Sequence, residues 1–159
     1  MKSFISNKYL LLFIRLVLGG LFIYSAALKI IDVSYFAKSL YNYRILPVET
    51  LNLFALIIPW LELVIGLLLV PGIFVKENAL LGSILMIIFI AAIASAVARN
   101  LDIDCGCFGT RDGTRVGLLK IIEDLFILLG FIWIAIYGSD FLALTKSKNI
   151  HIDKPESYF

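Results

Sequence analysis

The sequence predicts an all-α integral membrane protein, a four-helix bundle with a short interfacial helix after the first span. Three observations carry that expectation. Of 159 residues, 61% are hydrophobic and only 16% charged, and mean hydropathy is +0.98; a soluble domain is nearer half apolar and a quarter charged. Apolar runs long enough to cross a ~30 Å hydrocarbon core recur along the chain. Between them lie the turn residues and most of the charges. The length suits one domain. A net charge of +2 gives no basic field for nucleic acid, and there is no solenoid repeat.

The transmembrane domain is expected over residues 1–140, with spans at about 9–31, 49–70, 79–98 and 116–137 and a polar tail at 141–159. The first span runs from Tyr9 to Ile31, with Arg15 inside it and Lys29 near its end. A cleaved leader would need Tyr24-Ser25-Ala26 as its processing site, which is a poor one, so the segment is read as retained. From Val33 to Arg44, apolar Val33, Phe36, Ala37, Leu40 and Tyr41 recur at helical spacing. Tyr35, Tyr41 and Tyr43 are of the type favoured at headgroups, so this is the interfacial helix. Pro47 follows it. The second span carries Glu62 and is expected to bend at Pro59, and Pro71-Gly72 stops it. The third opens after Lys76-Glu77-Asn78 and is rich in small residues that permit close helix approach in lipid. Lys120, Glu123 and Asp124 lie in the first turns of the fourth.

Four spans would place both termini on one face and the interfacial helix and the 99–115 loop on the other. The terminal face would hold Lys2, Lys8, Lys76, Lys146, Lys148 and Lys154; the other would hold Lys29, Lys38, Arg44, Arg99, Arg111, Arg115 and Lys120. These sets balance, so charge leaves the orientation open.

An ionisable group inside a membrane marks a functional site by default. Counted from the helix ends, Arg15 and Glu62 sit at one depth with opposite charge, so they are expected to pair. Near the other face, Lys29, Lys120, Glu123 and Asp124 either form a polar cluster beneath the loop or send their lysines to the headgroups.

Both cysteines stand in that loop, within Asp102-Ile103-Asp104-Cys105-Gly106-Cys107-Phe108-Gly109. A bond between Cys105 and Cys107 needs a tight backbone turn, which Gly106 allows. The small ring would be strained, and strained disulfides exchange readily. Arg99, Arg111 and Arg115 favour thiolates, whereas Asp102 and Asp104 oppose them. Two reduced bystander cysteines are the bland reading. A metal is not expected: a closed zinc site wants four ligands, His151 belongs to the opposite face, and the loop fails the calcium pattern at its sixth and twelfth positions, Cys107 and Gly113. No cofactor is expected.

Three stretches taken in order, Arg15-Leu16-Val17-Leu18-Gly19 with Lys29, Pro59-Trp60-Leu61-Glu62-Leu63 with Gly66-Leu67, and Asp104-Cys105-Gly106-Cys107-Phe108-Gly109, carry a family likeness. With them the chain resembles the MauE/DoxX-like family of redox-associated membrane proteins, in particular its methylamine-utilisation MauE type. The resemblance implies a multi-pass protein of the bacterial inner membrane, associated with maturation of an exported, disulfide-rich enzyme subunit. Cys105 and Cys107 would be its redox pair, on the exoplasmic side. The one-residue gap differs from the two-residue gap of thioredoxin-type enzymes.

The preferred reading is thus a thiol–disulfide redox or maturation protein whose partners are the bilayer and a thioredoxin-like or exported disulfide-containing protein. Two others stay open. One is a non-enzymatic assembly subunit of a larger membrane complex or oligomer. The other is a quinone or small-molecule binder with a pocket near Arg15, Glu62 and Trp60.

Overall fold

The computed structural model describes residues 8–45, 47–101, 103, 117–138 and 143–144. Among them are five helices, α1 (Lys8–Ile31), α2 (Val33–Tyr43), α3 (Val48–Leu69), α4 (Val75–Ala98) and α5 (Leu118–Tyr137), and no strand. Three of these, α1, α3 and α4, are long and apolar enough to cross a membrane. At about 1.5 Å per residue, the 24 residues of α1 span about 36 Å. The fifth, α5, has comparable length but carries Lys120, Glu123 and Asp124 near its start.

The joints follow from local chemistry. Asp32 alone separates α1 from α2, and its side chain accepts from the Tyr35 N–H at 2.9 Å to cap the second helix. Arg44, in the left-handed region at φ 50°, ends α2, and Pro47 leads into α3. Beyond Leu69, the Ile73 N–H reaches Leu68 O at 2.9 Å and the Gly72 N–H reaches Leu69 O at 3.1 Å. That pair of bonds needs a left-handed residue just past the helix, and Gly72 supplies it at φ 79°. Asn78 Nδ2 then donates to Ile73 O at 2.8 Å and Phe74 O at 3.1 Å, tying the turn to α4. Asn100 plays the glycine's part at the end of α4, at φ 51°, with Leu101 N–H bonded to Ala96 O at 3.0 Å. Lys76, Glu77 and Asn78 form the first turn of α4, and α3 continues as one helix through Pro59.

α1 runs antiparallel to α3, because Gly19 meets Gly66 while Arg15 reaches Val70 and Lys29 reaches Glu62. A Cβ on Gly66 would lie 2.8 Å from the Gly19 carbonyl oxygen. This two-glycine contact sets the register of the pair. α5 packs antiparallel to α4: Phe131 fits against Gly82, and Ile121 packs at the Ile93–Ala96 end. The core joins the helices through Leu18, Phe22, Ile65, Leu69, Leu85, Met86, Phe131 and Ile134, with the Phe22 and Phe131 rings edge-on at 4.7 Å. The outward surface is as apolar as the inside. Phe13, Leu53, Trp60, Leu80, Ile88, Phe126 and Ile136 are exposed, a surface suited to lipid contact.

Candidate functional site: a buried ion cluster

The side chains on one face of α1 repeat at steps of three and four. Leu11, Arg15, Leu18, Phe22, Ser25 and Lys29 are all buried. That spacing stacks Ser25 and Lys29 one turn apart on one stripe. The two-glycine register then brings Glu62 of α3 beside them. Lys29 Nζ donates to Glu62 Oε1 at 2.6 Å and Oε2 at 2.8 Å. Ser25 Oγ donates to Oε2 at 3.2 Å. Lys29 is 1% exposed and Glu62 3%. Aromatic faces complete the ammonium's surroundings: Nζ lies 5.2 Å from the Phe36 ring centroid and 4.8 Å from that of Phe89.

This corrects the expected Arg15–Glu62 pair. Depth counted from helix ends assumed that the ends of α1 and α3 lie level. The Gly19–Gly66 contact instead sets Arg15 opposite the end of α3, where its Nη2 donates to Val70 O at 3.4 Å. Lys29 in turn points inward and does not extend to the headgroups. Trp60 is exposed, so Arg15, Glu62 and Trp60 do not line a common pocket.

α5 brings the second half of the cluster. Lys120 Nζ bonds Glu123 Oε2 at 2.9 Å and lies 3.8 Å from Asp124 Oδ1. Glu123 is the outward member, with its side chain 55% exposed, whereas the Lys120 and Asp124 side chains are 8% and 3% exposed. Asp124 Oδ2 is buried with no hydrogen-bond partner. Between Asp124 and the Lys29–Glu62 pair lies a cavity of about 30 Å³, lined by Ser25, Lys29, Glu62, Asp124 and apolar side chains including Phe22 and Phe89. It has room for about two waters. Tyr43, at the end of α2, feels the same carboxylate; burial, and then the charge of Asp124, push its phenol above the usual tyrosine range.

A second, larger cavity adjoins the first. It is a groove of about 570 Å³ between α3 and α4, with α2 along one side and walls of Phe54, Ile57, Leu61, Leu85 and Ile88; its polar lining comes from Ser39, Tyr43 and Ser95. Phe89 lines both cavities.

Of the loop residues singled out in the sequence, only Arg99 and Ile103 are described. Arg99 bonds Ser95 O, Tyr43 O and Arg44 O, fastening the end of α4 to the end of α2. Asp102, Asp104, Cys105, Gly106, Cys107, Phe108, Gly109 and Arg111 lie outside the described residues, as do Arg115 and His151. Among the described residues, no group of three or more His, Cys, Asp or Glu side chains could hold a metal ion. As neighbours of the ion cluster, Ser25, Phe36, Phe89 and Tyr43 escaped the sequence reading, which placed Phe36 and Tyr43 only on the interfacial helix. For Ser25 the signal was present in the stripe with Lys29; for the aromatic residues there was none.

Long apolar helices around a charged interior, joined by short capped turns, define a multi-pass helical membrane protein. The comparisons with known proteins sharpen this. A profile of the family described as "Methylamine utilisation protein MauE" matches residues 7–137, and the chain belongs to that family. The methylamine utilization protein MauE of Paracoccus denitrificans is 31% identical over 79% of this chain and 68% of its own length. That of Methylophilus methylotrophus is 30% identical over 79% and 67%, and that of Methylorubrum extorquens 41% identical over 46% and 39%. No solved structure matches.

Proposed function

We propose that this chain is a four-span inner-membrane protein that performs thiol–disulfide chemistry in the maturation of exported proteins. α5 is the fourth span and α2 lies among the headgroups. Cys105 and Cys107 are the reacting pair, on the exoplasmic side. The relatives are named for methylamine utilisation, and the client in this reading is an exported, disulfide-containing protein of that process. One observation carries the reading. The cysteine-bearing connection is held at both ends by one packed patch: Leu101 and Ile103 enter it, Ile121 leaves it, and all pack against Tyr43, Ile93 and Ala96. Ile121 stands next to Lys120 on α5, which joins that patch to the ion cluster along the chain.

In the reductive direction, one cysteine thiolate attacks a client sulfur. A mixed disulfide forms, the client disulfide breaks, and the departing client thiolate takes a proton. The second cysteine then attacks the mixed disulfide and releases the client dithiol, leaving Cys105 and Cys107 joined. The reverse sequence oxidises a client. In cells expressing Cys105→Ser or Cys107→Ser separately, one variant is expected to accumulate a reductant-sensitive adduct with an exported or thioredoxin-like protein. If neither captures a partner and both sustain client maturation, the reading fails, and a double-serine variant with full activity favours an assembly role.

The groove of about 570 Å³ supports a second reading, a lipid-soluble small molecule such as a quinone held between α3 and α4. Its volume falls in the range of small-ligand sites. Extraction of the purified protein, followed by mass analysis for stoichiometric quinone, tests it; only bulk lipid in the extract counts against it.

A further inference from the structure

The thiol reading leaves the buried carboxylate on α5 unused. Asp124 is 2% exposed. One of its oxygens lies 3.8 Å from Lys120. The other has no hydrogen-bond partner, and the residue lines the cavity that also holds Lys29, Glu62 and Ser25. A buried acceptor left so is destabilising, more so if charged. The charges around it can be counted element by element. α1 contributes Lys29, α2 contributes Tyr43, α3 contributes Glu62, and α5 itself contributes Lys120 and Glu123. α4 contributes only the apolar Met86 and Phe89 to the cavity lining. Lys29 is committed to both oxygens of Glu62, and Lys120 is shared between Glu123 and Asp124. Among the described residues, with every group ionised, the cluster therefore has two ammonium groups against three carboxylates.

We propose that this cavity is a proton-binding site: it holds water, takes up one proton on Asp124, and exchanges that proton with the membrane surface through Lys120 and Glu123. Protonation turns the unpartnered oxygen of Asp124 into a donor. It can then bond a cavity water or, through that water, Glu62, and the cluster becomes neutral. The route outward is laid out along α5. Glu123, with its side chain 55% exposed, meets Lys120, and Lys120 lies against Asp124. The route inward stops at the Lys29–Glu62 pair, about six helical turns along α1 and about two turns short of the end of α3. The site stands on its own geometry and does not depend on cysteine chemistry.

Infrared difference spectra of the full chain in lipid nanodiscs, recorded across a pH titration, test the proposal. A protonated-carboxyl carbonyl band is expected to grow with one-proton dependence as pH falls, to shift in D2O, and to disappear in Asp124→Asn. Glu123→Gln is expected to retain it. Asp124→Glu, which keeps the carboxyl if Asp124→Asn does not fold, is expected to move its frequency. Persistence of an unshifted band in both Asp124 variants, or its loss in Glu62→Gln with retention in Asp124→Asn, overturns the assignment to Asp124. A band that fails to exchange in D2O overturns the route to the surface. The same spectra from a Cys105→Ser, Cys107→Ser chain are expected to be unchanged, which separates this site from the thiol reading.

Discussion

Removing Lys29 alone should damage the protein far more than removing Lys29 and Glu62 together. At 2.6 Å, an effective dielectric of about 20 gives an attraction of about 6 kcal/mol. Desolvation of each ion costs several kcal/mol, so the intact pair is close to balance. Breaking it is a different matter. Lys29→Met leaves the Glu62 carboxylate buried with Ser25 as its remaining donor, and Glu62→Met leaves the ammonium between two phenyl rings. Each single change is expected to lower stability by about 3–5 kcal/mol, as for other buried pairs broken on one side. The double change Lys29→Met, Glu62→Met substitutes apolar volume for both ions and is expected to cost less than about 2 kcal/mol. The assay is reversible denaturation in mixed micelles, followed by helical circular dichroism, with the four proteins forming a double-mutant cycle. An interaction energy of about 3 kcal/mol or more supports the pairing. Losses that simply add, within about 0.5 kcal/mol, refute the reasoning. The cycle of Arg15→Met with Glu62→Met serves as control and is expected to be additive.

The two-glycine contact gives a contrast within one helix pair: Gly66→Ala would press on the Gly19 carbonyl at 2.8 Å and is expected to cost about 1–3 kcal/mol, whereas Gly20→Ala has nothing within 4 Å and should be neutral or up to about 1 kcal/mol stabilising through helix propensity. The same denaturation assay reads both. Tyr43 bears on pH. Its folded-state value is raised above the unfolded one, so its contribution is fully present below about pH 10 and declines as pH rises from there through the folded value. Tyrosinate absorbance of Tyr43→Phe is expected to lack one late transition present in the parent chain; an unchanged titration curve contradicts the burial.

How much of this could be read from the amino-acid order depends on the type of information. Helix positions are local, and Pro47, Pro71-Gly72 and Gly138 state where chain direction changes. The nearness of Lys29, Lys120 and Asp124 follows from topology alone, since the end of one helix and the start of another share a face. The partner of Glu62 does not. It depends on how far α1 slides along α3, and that is fixed by Gly19 against Gly66, whose significance emerges only when the two are seen to face each other. A shift of one helical turn reassigns every ion. The groove is further from the sequence still, because it arises from the separation of α3 and α4 and from the placing of α2. Phe36 and Phe89 read as ordinary core residues until the ammonium is found between them.

The same register has a consequence for biogenesis. α1 leaves the ribosome with Arg15 and Lys29 on its buried stripe, and each costs about 2.5–3.5 kcal/mol when placed alone at the centre of a bilayer. The counter-ion for Lys29 is encoded 33 residues later, on a helix that carries its own isolated carboxylate. Neither segment is a good solitary passenger in lipid. The first hairpin is therefore best delivered as a unit, with α1 retained beside the insertion machinery until α3 arrives and the ammonium and carboxylate enter the membrane already joined.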